Sequence, residues 1–114
     1  MNYSNLLTPI NSAYETTLFG QKAFIRRLTQ QELWDYEDDM ARLRAGDKPG
    51  YDTSIRGIQL VLSALVNEDG SRPDPKDLPA AAEFLSTHSN KDLLEANVTV
   101  QRYAYGDLEA AEKN

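Results

Sequence analysis

Cysteine is absent from the 114 residues. That excludes a disulfide scaffold, thiolate metal sites and thiol catalysis. Histidine occurs once, at His88, too few for a multi-histidine metal site. No apolar run approaches the roughly 20 residues needed to span a bilayer, so no membrane partner is expected. The opening Met1-Asn2-Tyr3-Ser4-Asn5 lacks the basic start and apolar stretch of a signal peptide. Bases are outnumbered: 12 Lys and Arg face 18 Asp and Glu, a net charge of −6. Phosphate-backbone binding draws on concentrated Lys and Arg, so nucleic acid is not an expected partner. No phosphate loop, dinucleotide fingerprint, internal repeat or low-complexity tract occurs.

Hydrophobic residues make up 40% and charged residues 26%, enough apolar material for a modest core and too much for a wholly disordered chain. The length suits a single domain over residues 1–114. The charge is uneven. Residues 1–31 carry Lys22, Arg26 and Arg27 against Glu15, a net +2. Residues 32–47 carry Glu32, Asp35, Glu37, Asp38, Asp39 and Asp47 against Arg42 and Arg44, a net −4. One reading is a solvated acidic helix face beside a basic strand. The other is self-association, with Lys22, Arg26 and Arg27 of one copy meeting Asp35, Asp38 and Asp39 of the next.

Along the chain, residues 1–12 show no periodicity and contain Pro9, as a loose N-terminal arm would. Residues 14–19 and 22–28 flank Gly20-Gln21, and this predicts a β-hairpin with Gly20 at the first central position of a type II′ turn. Leu18, Phe24 and Leu28 are its expected apolar contributors. Thr29-Gln30-Gln31-Glu32 matches a capping box, in which the Thr hydroxyl and the Glu carboxylate each accept an amide of the other residue. The helix it opens places Leu33, Tyr36, Met40 and Leu43 on one face, and Gly46, Pro49 and Gly50 end it.

Ile58 to Val66 is the most apolar stretch. A buried strand and a central helix both fit it. Candidate caps at Asp52, Thr53 and Ser54, and the length from Thr53 to Val66, favour a helix. Asn67 to Pro75 reads as a loop. Pro79 suits the start of a third helix through Phe84 and Leu85, and Ser89 or Asn90 the cap of a fourth that ends at Gly106. Residues 107–114 are expected to fray. The fold class is therefore mainly α: about four helices with an N-terminal β-hairpin. The expected core is Leu33, Tyr36, Met40, Ile58, Leu62, Leu65, Phe84 and Leu94.

No constellation points to catalysis. His88 falls in a helix-to-helix loop, where solvation or capping explains it. An EF-hand framed on Gly70 puts Leu65 and Lys76 at ligand positions one and twelve, and neither supplies a carboxylate. Glu37, Asp38 and Asp39 are adjacent on a helix and point about 100° apart, so they do not converge. No enzyme activity, metal or cofactor is expected. Val98, Tyr103, Tyr105 and Leu108 are more apolar than a fraying terminus requires. They either pack on the domain's own core or form a partner-facing patch.

Three segments carry a resemblance. Phe24-Ile25-Arg26-Arg27-Leu28-Thr29-Gln30-Gln31-Glu32 is a strand ending in Arg-x-Leu-Thr that runs into a Glu-bearing helix. Leu60 to Arg72 is an apolar helix running into an Asp-Gly turn. The chain closes on Glu109-Ala110-Ala111-Glu112-Lys113-Asn114. In this order the segments resemble the tail assembly chaperones of long-tailed, siphovirus-type bacteriophages, over roughly residues 17–114. Pro73 and Pro75 stand where the family usually continues through an aromatic-bearing stretch. The resemblance implies a mostly helical homo-oligomer acting in the host cell cytoplasm and absent from the mature virion. It implies binding to the tape measure protein and recruitment of tail tube subunits, often with a longer product made by frameshifting. Two other functions compete: a head-completion or tail-terminator component that stays in the virion, and an acidic nucleic-acid-mimic inhibitor.

Overall fold

The computed structural model describes residues 1–10 and 12–107. A hairpin opens the folded part, formed by β1 (Tyr14–Leu18) and β2 (Gln21–Ile25) in register Tyr14↔Ile25 to Leu18↔Gln21. The connection is Phe19-Gly20, with φ of 54° and 74°. Both central residues are left-handed, the pattern of a type I′ turn. The turn thus sits one residue earlier than the Gly20-Gln21 reading. Alternation puts Tyr14, Leu18, Ala23 and Ile25 on the inner face. Phe24 lies on the other face, with the Lys22 ammonium 6.0 Å from its ring centroid. Ile25 rather than Phe24 therefore fills the core beside Leu18 and Leu28.

Helix α1 (Gln30–Arg44) begins at the expected capping box. The Thr29 hydroxyl accepts the Glu32 amide at 3.1 Å, and the Glu32 carboxylate accepts the Thr29 amide at 2.9 Å. Helix α2 (Pro49–Ala64) begins four residues before the expected Thr53. Pro49 takes the first turn, where its missing amide costs nothing. Thr53 and Ser54 are inside the helix, and their hydroxyls donate back to the carbonyls of Pro49 and Gly50 at 2.6 and 2.8 Å.

Leu65 and Val66 do not continue the helix. They form β3 (Leu65–Val66), antiparallel to β2 with Phe24↔Val66 and Ile25↔Leu65, giving the sheet order β1-β2-β3. No glycine stops α2. The last carbonyls of a helix need donors from elsewhere, and two arginines supply them. Arg26 Nε donates to the Ser63 carbonyl at 3.0 Å, and Arg72 Nη1 donates to those of Ser63 and Leu65, both at 2.6 Å. The loop from Asn67 turns at Gly70, as expected, and holds a single 3₁₀ turn at Pro75–Asp77.

Helix α3 (Ala81–Thr87) is short, and Glu83 accepts the Ala80 amide at its start. Helix α4 (Asn90–Tyr105) is capped by the Ser89 hydroxyl and ends at left-handed Gly106, both as expected. The fold is mainly α, four helices with an N-terminal hairpin. Helix α2 packs against α1, α3 and α4. The core gathers Leu18, Ile25, Leu28, Leu33, Tyr36, Leu60, Val61, Ala96, Val100 and Tyr103. Of the expected core, Leu33, Tyr36 and Ile58 are buried, while Met40, Leu62, Leu65 and Phe84 are half-buried. Leu94 is exposed, because α4 turns Ala96, Asn97, Val100 and Tyr103 inward instead.

Candidate partner-binding face

Helix α4 carries two stripes of apolar side chains. The inner one meets α2 and the sheet. It includes Asn97, whose amide donates to the Gly57 carbonyl at 3.0 Å and to the Tyr36 hydroxyl at 3.3 Å. The outer stripe is Leu94, Val98 and Tyr105, with fractional exposures of 57%, 49% and 52%. Spacings of four and seven place these three on one line along the helix. Leu94 and Val98 border an open depression of about 430 Å³, shared with Lys91, Glu95, Thr99 and Arg102. Leu94 also borders a smaller cleft of about 120 Å³ between the starts of α2 and α4, near Tyr36 and Met40. Lys91 and Glu95 form an exposed ion pair at 3.6 Å along one edge. The result is an apolar ridge with a charged rim.

The expected patch of Val98, Tyr103, Tyr105 and Leu108 is divided. Val98 and Tyr105 face outward. Tyr103 is only 3% exposed; its ring stacks on Tyr14 at 4.6 Å, and the Arg27 guanidinium lies 4.5 Å from its centroid. Tyr103 is a core residue and leaves the patch. Leu108 lies outside the described residues, as does the closing Glu109 to Asn114 segment. Helical spacing alone predicts Leu94 in the core, and the structure turns it outward. Its position four residues before Val98 is the signal that places it on the ridge.

The expected charge-to-charge joint is divided as well. Lys22 is exposed, 3.6 Å from Glu15. Arg26 is not a surface cation. Its guanidinium grips Glu32 through two bonds of 2.9 and 2.6 Å while its Nε holds Ser63. Asp39 is also committed within the fold, to Arg56 at 2.9 Å and Arg42 at 3.2 Å. Those bonds, Arg56 first, hold its carboxyl below the usual range. Asp35 and Asp38 face solvent, and Asp35 accepts the Gln31 amide. Burial of the Arg26 stem against α2 could not be read from local sequence, since its partners Ser63 and Ala64 are far along the chain.

His88 is half-buried at the C-cap of α3, consistent with the capping expectation. It ends α3, its ring stacks on Phe19 at 4.4 Å, and its backbone amide donates to Phe84. Among the described residues no group of His, Asp and Glu is placed to hold a metal ion. No helix among them is long and apolar enough to cross a membrane.

A family model described as phage tail assembly chaperone protein, TAC, matches residues 2–114. No curated protein and no solved structure matches the chain.

Proposed function

This chain belongs to the phage tail assembly chaperones, and from that membership we propose that its client is the tape measure protein, bound along the outer stripe of α4. The observation that carries the reading is the exposed line Leu94, Val98 and Tyr105 on a helix whose other apolar stripe is already buried. Exposed apolar side chains aligned on one helix are a feature of interaction sites. A tape measure protein is long and helical. A helix laid along α4, whose 16 residues span about 24 Å, covers the ridge and leaves Lys91, Glu95 and Arg102 as a polar rim. Such a chaperone works by covering apolar surface and catalyses nothing. It hands the coated client to tail tube subunits in the host cytoplasm and does not stay in the virion.

The test is co-expression of the tape measure protein with the parent chain or with Leu94→Asp/Val98→Asp. The parent is expected to keep the client in the supernatant and to co-purify with it, and the variant to lose both while retaining its helical circular dichroism. A variant that still keeps the client dissolved sinks the α4 assignment. Mass spectrometry of finished particles checks the chaperone role, since a head-completion or tail-terminator protein is found there and a chaperone is not.

A further inference from the structure

Trp34 is the only tryptophan of the chain, and it is 55% exposed. Helix α1 buries Leu33 and Tyr36 and half-buries Met40 and Leu43. Trp34 lies about 100° around the helix from Leu33, so the packing that fixes α1 turns the indole outward. An indole carries a large apolar area and the best aromatic face for a cation. Among the described residues, the cations that sit over rings use Phe24, Tyr103 and Tyr36. The face of Trp34 is left open.

The surroundings of the indole are acidic. Residues 30–41 contain Glu32, Asp35, Glu37, Asp38 and Asp39 and no Lys or Arg. Glu32 and Asp39 are spent inside the fold, on Arg26 and on Arg56 and Arg42. Asp35, Glu37 and Asp38 are exposed, and none of them forms an ion pair among the described residues. Glu37 and Asp38 stand three and four residues after Trp34, on the same face. Helical side chains lean toward the N-terminus, so both carboxylates incline toward the turn that carries the indole. Ala41, seven residues on, ends the strip with a small side chain about 10 Å from Trp34.

We propose that this strip of α1, formed by Trp34, Glu37 and Asp38, docks a basic helical segment of a second protein. The segment presents Arg or Lys beside an apolar side chain. Charge complementarity selects this occupant. One cation covers the indole face, and a second, one turn along the partner helix, reaches the two carboxylates. Arg fits better than Lys, because a guanidinium stacks flat on the ring and forks onto a carboxylate. The strip is a convex helix surface with a single ring. It suits a rod laid across it and is no cage for a free ammonium ion. The client reading uses α4, so this inference does not rest on it.

The indole is its own reporter. The probes are two synthetic amphipathic helical peptides of Leu and Ala that differ only in carrying Arg or Glu at the polar positions. Titrating the full chain with the Arg peptide is expected to shift the Trp34 emission to the blue until it saturates, and added salt is expected to reverse the shift. The Glu peptide is expected to leave the emission unmoved. Anisotropy of a dye on the Arg peptide compares the variants, all of them at exposed positions and checked for helical circular dichroism. Trp34→Ala and Glu37→Gln/Asp38→Asn are each expected to bind about tenfold more weakly, and Trp34→Phe to recover part of the loss. Glu68→Gln/Asp77→Asn removes the same charge from exposed positions elsewhere and is expected to bind like the parent. Leu94→Asp/Val98→Asp is expected to bind no more weakly than the parent. Unmoved emission with the Arg peptide overturns the proposal, and so does a Trp34→Ala variant that binds like the parent. Equal weakening by Glu68→Gln/Asp77→Asn also overturns it, because net charge alone would then account for binding. Emission that shifts with chain concentration in the absence of peptide overturns it by placing a second copy on the strip. Loss of binding in the α4 variant overturns it by placing the peptide on the ridge.

Discussion

Glu32 holds two structures together at once. Its carboxylate closes the cap of α1 and also grips Arg26, whose other edge tethers the end of α2. The Arg26 bonds and, after them, the Thr29 amide hold its carboxyl at about 2 against an ordinary 4.5, although partial burial pushes the other way. A carboxyl depressed in the folded state stabilises that state above its unfolded pKa, and the contribution disappears as pH falls through the folded value. The window therefore runs from pH 4.5 down to about 2. Much of Glu32 is open to water, which screens the ion-pair share. Glu32→Gln is expected to lower stability at neutral pH and to flatten the loss of stability across that window, as read by urea melts on either side of it. Asn97 is the second residue of this kind. It is the one buried polar residue among the described core positions, and it ties α4 to α1 and α2. Asn97→Leu leaves the Gly57 carbonyl and Tyr36 hydroxyl without their donor, and the expected cost is about 1–3 kcal/mol in denaturant melts.

Among the elements, α2 has the most neighbours and so the largest expected response. Leu60 is buried at 2% exposure, and Leu60→Ala is expected to cost about 2–5 kcal/mol. Leu62 is only half-buried, so Leu62→Ala is expected to cost less; equal losses in thermal or urea unfolding would mean α2 is rotated. The cap of α1 is local. Thr29→Ala is expected to cost about 0.5–2 kcal/mol, through the unmet Glu32 amide, and an unchanged melt would place the helix start elsewhere. The hairpin turn shows local preference yielding to packing. Phe19 at φ 54° occupies a position better suited to Asn, and its ring contacts with His88 and Phe84 hold it there.

Among the described residues, the large apolar side chains that face water include the ridge on α4, the N-terminal arm, Trp34 and Tyr51. They lie on separate parts of the fold. The charge asymmetry along the chain is real, but the fold consumes much of it, because Arg26 and Asp39 are spent internally. Leu94→Asp/Val98→Asp changes two exposed positions, so its melting temperature is expected to stay close to the parent's even as client binding fails. A large drop in that temperature would mean the ridge is structural.

The sequence by itself determined the features whose causes are local. The Thr29 capping box, the Ser89 cap, the stop at Gly106 and the loop at Gly70 each depend on a few adjacent residues and on backbone chemistry that needs no distant partner. Order along the chain was also enough to suggest the family. Only the tertiary structure decided where α2 stops, because Leu65 and Val66 satisfy a helix and a strand equally until β2 offers its edge. It likewise decided which stripe of α4 is covered. Helical period shows that Leu94, Val98 and Tyr105 share one line and that Ala96, Val100 and Tyr103 share another. Which line meets α2 depends on Asn97 finding Gly57 and Tyr36, 40 and 61 residues away. Arg26 was legible as a charge but not as a clamp, since its grip on Ser63 reaches across 37 residues. Such contacts are set by side chains that become neighbours only when the chain has folded.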